Sequence, residues 1–285
     1  MERQRLAVRN PRSGLNDYQV ESCSSADLGA IVTRMRRHAR RWSGEPLAVR
    51  IAALQALGAA IDRARPEIAA ALEQDTGRRH LAGVEITAVT ASIAAWVERA
   101  PGLCRDAWQD GRALPSLRYR TQWCPYGLVT VIAPWNFPFL LSLIDVIPAL
   151  LAGCTVLLKP SEVTPRWIEP FESALATVPG LSDVLSIVIG GGELGAAAIG
   201  HADMVCFTGS IATGRKVASQ AAACMIPISL ELGGKDPLIV LASAELARAV
   251  TAALRSGFVA TGQACHSIER IYVARGRAMP SLSSS

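Results

Sequence analysis

The stretch "PWNFPF", Pro134 to Phe139, sets an asparagine between Trp135 and Phe137 and brackets it with Pro134 and Pro138. An asparagine that only shapes a turn can sit among polar neighbours. Its apolar company points instead to an amide held in a shielded place, where its N–H has a use. Two glycine-rich stretches could receive an anion. In "GGGELG", Gly190, Gly192 and Gly195 follow the apolar run "LSIVI" as a dinucleotide fingerprint would. The acidic residue due about twenty positions later is missing and Asp203 comes too soon, so a glycine turn entering a helix fits at least as well. In "FTGSIATG", Gly209 and Ser210 precede a helical stretch and Gly214 falls in its first turns. A helix N-terminus there presents free N–H groups to a phosphate. The same residues fit a serine-capped helix start, and both readings stand.

Seven cysteines, Cys23, Cys104, Cys124, Cys154, Cys206, Cys224 and Cys265, are odd in number and widely spread, with no CxxC pair for zinc or redox work. Most are expected to be buried, reduced thiols, and no metal site is expected. His266 follows Cys265 directly, but neighbours on an extended chain point to opposite sides, which argues against a Cys–His dyad. The net charge of +5 is mild for 285 residues and does not argue for nucleic acid. The densest basic run, Arg34 to Arg41 in "RMRRHARR", repeats at a spacing of four and reads as a solvated helix face. The start, "MERQRLAVRN", lacks an apolar h-region, so a cytoplasmic location without a secretory signal is expected. Phe137 to Leu158 is apolar but interrupted by Pro138, Asp145, Pro148 and Gly153, which suits a buried helix followed by a strand better than a membrane span.

These groups need elements to position them. Half of the residues are hydrophobic, enough for a large core and roughly two domains. The first 110 residues read as mostly helical, with Leu47, Ile51, Leu54, Leu57 and Ile61 forming one stripe. From Leu128 the rhythm changes to short β-branched runs, "LVTVI", "TVLL", "LSIVI", "MVCF", "ISLEL" and "LIVL", spaced widely enough for helices between them. That alternation predicts an α/β fold, a doubly wound, Rossmann-like parallel sheet preceded by N-terminal helices, with ligands at the carboxyl ends of the strands. No internal repeat is seen, and "SLSSS" reads as a solvated tail.

"PWNFP", "LLKPSEVTP", "FTGS", "LELGGKDP" and "GQACHSIERIYV" occur in this order, and from about Leu28 to Val273 the set closely resembles the NAD(P)-dependent aldehyde dehydrogenase superfamily. The resemblance implies that Cys265 is a nucleophile, since a thiolate adds to an aldehyde carbonyl and later leaves from a thioester. It implies that the Asn136 amide, with the cysteine's backbone N–H, donates to the oxyanion so formed. Glu231 would be the base that activates water to hydrolyse the thioester, aided by apolar surroundings, with Gly233 and Gly234 allowing a close turn beside it. Lys159 and Glu162 would contact the adenosine ribose and Ser210 the pyrophosphate, with Trp135, Gly209, Gly214, Leu232 and Gly233 completing the cofactor-binding set. Glu162 would repel a 2′-phosphate, so NAD is expected and NADP less so. The implied reaction oxidises an aldehyde to a carboxylate, with an aldehyde as the partner and neither nucleic acid nor membrane.

On the same resemblance, residues 1–27 form an N-terminal extension, 28–262 the NAD-binding domain with a hairpin near 112–127, and 263–285 the start of a catalytic domain and a tail. The sequence departs from the family in stopping 20 residues after Cys265. Most of the second domain and the C-terminal strand used in homo-oligomerisation are expected to be missing, and "SIERIYV" to lack strands to pair with. An inactive, cofactor-binding remnant is therefore the alternative to an aldehyde dehydrogenase.

Overall fold

The computed structural model describes residues 1–103, 108–120 and 122–275. Two short strands come first, β1 (Arg5–Arg9) and β2 (Asn16–Glu21), paired antiparallel so that Val8 and Val20 alone are fully buried. The stretch expected to be an extension thus carries a hairpin. Helix α1 (Ser25–Gly44) starts from a capping box: Ser24 Oγ accepts from Asp27 N–H, and the Asp27 carboxylate accepts from Ser24 N–H. Helix α2 (Leu47–Arg63) carries the expected stripe, with Leu54, Leu57 and Ile61 buried and Leu47 and Ile51 packed beside them. Helix α3 (Arg65–Thr76) enters on Pro66 and stops at Gly77, whose φ of 70° is the left-handed conformation glycine adopts freely. Helix α4 (Arg79–Leu103) is long and apolar enough to cross a membrane by length and composition, yet it packs on α2 and α3 through Ile86, Val89 and Ile93.

An antiparallel hairpin follows, β3 (Trp108–Asp110) paired with β4 (Arg118–Arg120), and its first strand lies ahead of the 112–127 range expected for one. The chain then enters the parallel sheet through β5 (Leu128–Ile132). The expected single helix after it is two, α5 (Pro138–Leu143) and α6 (Val146–Ala152), broken at Ile144–Asp145. The remaining units are β6 (Thr155–Lys159), α7 (Ile168–Ala176), β7 (Leu185–Ile187), α8 (Gly192–Ile199), β8 (Met204–Gly209), α9 (Ile211–Ala223) and β9 (Ile228–Leu232). All five strands run parallel in the order β7-β6-β5-β8-β9.

Strand side chains alternate between faces, and here each face meets a different helix layer. Val129, Val131, Val156 and Leu158 bury with α2–α7, whereas Leu128 and Leu157 bury with α1 and α8. A strand covered on both sides reads as a continuous apolar run, as β5 and β6 do. Because β8 returns to the far side of β5, the strand order reverses between these two, and a crevice opens beyond their carboxyl ends.

The run "LIVL" does not join this sheet. It falls in β10 (Asp236–Val240), which pairs in parallel with β11 (Ile268–Val273) across α10 (Leu246–Phe258). The segment "SIERIYV", expected to be without a partner, is therefore paired on one side by residues that strand propensity alone had assigned elsewhere.

Candidate active site

The crevice at the reversal is an open groove of about 630 Å³ between Ile132–Trp135, the β6 end and the start of α9. Lys159 lies at its floor, 5% exposed, with Nζ donating to Glu162 Oε2 at 3.2 Å and to the Pro160 carbonyl at 3.1 Å. Burial pushes the Lys159 pKa down, and the Glu162 carboxylate opposes that shift. Ser210 caps α9: its Oγ accepts from Thr213 N–H at 3.2 Å. Both readings of "FTGSIATG" thus fall on the same residues, a capped helix start that opens into the groove. Gly209 and Gly214 lie against side-chain tips. A Cβ on the first would lie 2.7 Å from the Phe207 ring, and on the second 2.6 Å from Leu232 Cδ2. Gly192 starts α8 at the groove edge, and a Cβ there would meet nothing within 4 Å, leaving the backbone open to a ligand.

Asn136 sits just above. Its Nδ2 donates to the Gln263 carbonyl at 2.7 Å, which joins the loop after β5 to the loop that carries Cys265. The amide is half-buried and Trp135 is 41% exposed, so the shielding expected for "PWNFPF" is open on one side. Cys265 is exposed in a turn in which Ser267 N–H donates to the Ala264 carbonyl at 3.0 Å. That turn overturns the argument from an extended chain, because it brings His266 Nδ1 to 3.7 Å from Cys265 Sγ. Cys154 and Cys206 are buried and Cys23 half-buried, but Cys124, Cys224 and Cys265 are exposed, so burial of most thiols does not hold; Cys104 lies outside the described residues. Glu231 is exposed at the end of β9 rather than set in apolar surroundings. Gly233 and Gly234 carry the chain back from it, and a Cβ on Gly234 would lie 3.6 Å from the Cys265 carbonyl.

The profile of the aldehyde dehydrogenase family matches residues 1–283. The chain belongs to the aldehyde dehydrogenase family. It is 38% identical over 247 residues to 4,4'-diapolycopene aldehyde oxidase of Methylomonas sp., covering 85% of this chain and 47% of the relative. Lactaldehyde dehydrogenase of Escherichia coli K12 is 32% identical over 279 residues, covering 95% and 57%. Among solved structures, betaine aldehyde dehydrogenase of Staphylococcus aureus in complex with NAD+ superimposes with a TM-score of 0.90 at 27% identity, covering 96% of this chain and 55% of that one. The chain spans about half the length of the curated relatives it matches.

Beneath this candidate site lie charges that reading the sequence missed. Arg78, between α3 and α4, donates from Nη2 to the Asn136 carbonyl and stacks its guanidinium 5.4 Å from the Phe137 ring centre. Glu85 on α4, 2% exposed, accepts from the N–H groups of Phe139 and Leu140, each at 3.1 Å. Burial pushes its pKa up to about 7 against the pull of those two donors and of Arg78. The available signal was a lone glutamate inside the apolar helical run "LAGVEITAV". Asp145, after α5, has its pKa pushed up by burial first and then by the charge of Glu231. Burial, with Asp145 next in weight, drives the Cys206 thiol up to about 12.

Proposed function

We propose that this chain supplies the nucleophile, oxyanion donor and cofactor groove for NAD-dependent oxidation of an aldehyde to a carboxylate. The observation that supports it most is the hydrogen bond from Asn136 Nδ2 to the Gln263 carbonyl, which brings the amide to the Cys265 loop. An amide nitrogen has two hydrogens. One is spent on Gln263 and orients the group; the other is free for an oxygen beside Cys265 Sγ. The thiolate of Cys265 would add to the aldehyde carbon, and the carbonyl electron pair would move to the oxygen that Asn136 receives. When bound, NAD would accept the hydride lost from the aldehyde carbon. Glu231 would then take a proton from water as the water oxygen attacks the thioester carbon, breaking the C–S bond to release the carboxylate and regenerate the Cys265 thiolate.

The groove residues suit a dinucleotide: a capped helix start for the pyrophosphate, an open Gly192, and the Lys159–Glu162 pair for a ribose. Glu162 would meet a 2′-phosphate with like charge, which favours NAD over NADP. NADH formation with a panel of aldehydes tests the reading. Turnover by the parent that disappears in Cys265→Ala supports it, whereas equal rates in the two rule out the cysteine route. Glu162→Gln should narrow the NAD preference; preferred NADP use by the parent would refute the Glu162 argument.

A further inference from the structure

We infer that Arg78 and Glu85 are positioning residues that hold the Asn136 amide from below, an inference that rests on the proposed role of Asn136. The stretch 134–140 runs from beyond the β5 end into the first turn of α5, where its backbone groups must find partners outside the sheet. The α3–α4 link and helix α4 supply them. Arg78 takes the Asn136 carbonyl and covers the Phe137 ring, and Glu85 takes the Phe139 and Leu140 N–H groups. The two contacts hold the backbone at Asn136 and just after it, at Phe139 and Leu140, so the chain leaving the amide is fixed at two points.

This arrangement carries a cost. Arg78 Nε and Nη1 are buried and make no hydrogen bond, and Glu85 holds a carboxylate in an apolar layer. Thr164 Oγ1, at 3.4 Å, is the contact on the Trp135 carbonyl, and it is weaker than a charged donor would be. The Asn136 carbonyl receives the guanidinium instead, which pins the residue whose side chain must reach the reacting oxygen.

The test reads the amide itself. In ¹H–¹⁵N spectra of the full chain, with the Asn136 NH₂ pair assigned through Asn136→Ala, Arg78→Met should move or broaden that pair and Arg78→Lys should restore it. An Asn136 pair at its parent position in Arg78→Met, in a folded chain, overturns the inference. If Arg78→Met does not fold, Glu85→Gln, which keeps size and an acceptor oxygen, should produce a smaller displacement of the same pair; none overturns it. In turnover, Arg78→Met should lower kcat by about tenfold to a hundredfold with little change in KM. In an Asn136→Ala background it should lower kcat no further, and a full additive loss there counts against positioning. If the proposed reaction itself is wrong, parent and Cys265→Ala will form NADH equally, while the spectra still decide the clamp.

Discussion

The parallel sheet and the β10–α10–β11 unit are built from similar strand and helix sequences but are covered very differently. In the sheet, Leu128, Val156, Leu157 and Leu158 are each at most 1% exposed, and the aromatic cluster Phe139–Trp167–Phe171 closes one helix layer with ring centres 5.3 to 5.7 Å apart. In the other unit, α10 has no buried residue, and Leu254 and Phe258 are 56% and 74% exposed. The groove's Lys159 sits in the first setting, whereas Cys265 and Glu231 face solvent from the second and from the sheet edge. The groove's candidate cofactor-binding groups are thus fixed by core packing and the proposed reactive groups by loop contacts, chiefly the Asn136–Gln263 bond.

The sharpest way to break this contrast is a pair of truncations. Phe171→Ala removes a fully buried ring and should cost about 3–5 kcal/mol of unfolding free energy. Leu254→Ala on α10 should stay within about 0.5 kcal/mol, because its side chain is already in water. Urea titrations of both variants measure this, and comparable losses would mean that α10 is covered in solution.

A second prediction concerns the charge buried under the site. Glu85 titrates near 4.5 when unfolded and is held up to about 7 in the fold. The folded chain therefore keeps a proton that the unfolded chain gives up across that window. The stability Glu85 contributes is full below about pH 4.5 and is lost as pH rises through 7, on the order of 3 kcal/mol in all. Glu85→Gln should flatten the fall in Tm between pH 5 and 8; an unchanged slope would place the proton elsewhere. A third, smaller effect belongs to the groove rim, where Ser210→Ala removes the cap on Thr213 N–H and should cost about 1 kcal/mol by thermal unfolding.

Where sequence and structure agree, and where they part, follows from how local each signal is. The runs that became β5 to β9 are legible because a strand covered on both faces must be apolar along its length. Which strands pair is not written in a run, so "LIVL" and "IERIYV" were separable from the sheet only by their mutual register, Leu238 against Ile271 and Val240 against Val273. The β1–β2 hairpin escaped because its few apolar residues alternate with charges and polar groups on two exposed strands. At the site, motif order pointed to Asn136, Glu231 and Cys265 through family resemblance, but not to Arg78 or Glu85. Their partners are backbone groups more than fifty positions away, and no spacing encodes such a contact.

The smallest predicted effect tests whether the Cys265 loop stores strain. Ala260, Thr261 and Gly262 follow one another with φ of 52°, 58° and 76°, all in the left-handed region. For a β-branched residue such as Thr261 this conformation is an outlier, with a cost of order 1–3 kcal/mol, and it lies four positions before Cys265. Thr261 Oγ1 donates to the Ala260 carbonyl at 2.6 Å, which recovers part of that cost locally. Thr261→Gly relieves the strain but loses the hydroxyl contact and frees the unfolded chain, so a net gain of only about 0.5 kcal/mol is expected. Thermal unfolding would register it as a small rise in Tm. The loop's purpose is read by a second measurement, the alkylation rate of Cys265. If the left-handed run serves to aim the thiol, Thr261→Gly should stabilise the fold and slow alkylation together. A stabilised chain whose Cys265 reacts at the parent rate would mean that the turn at Ala264–Ser267 fixes the thiol without help from the residues before it.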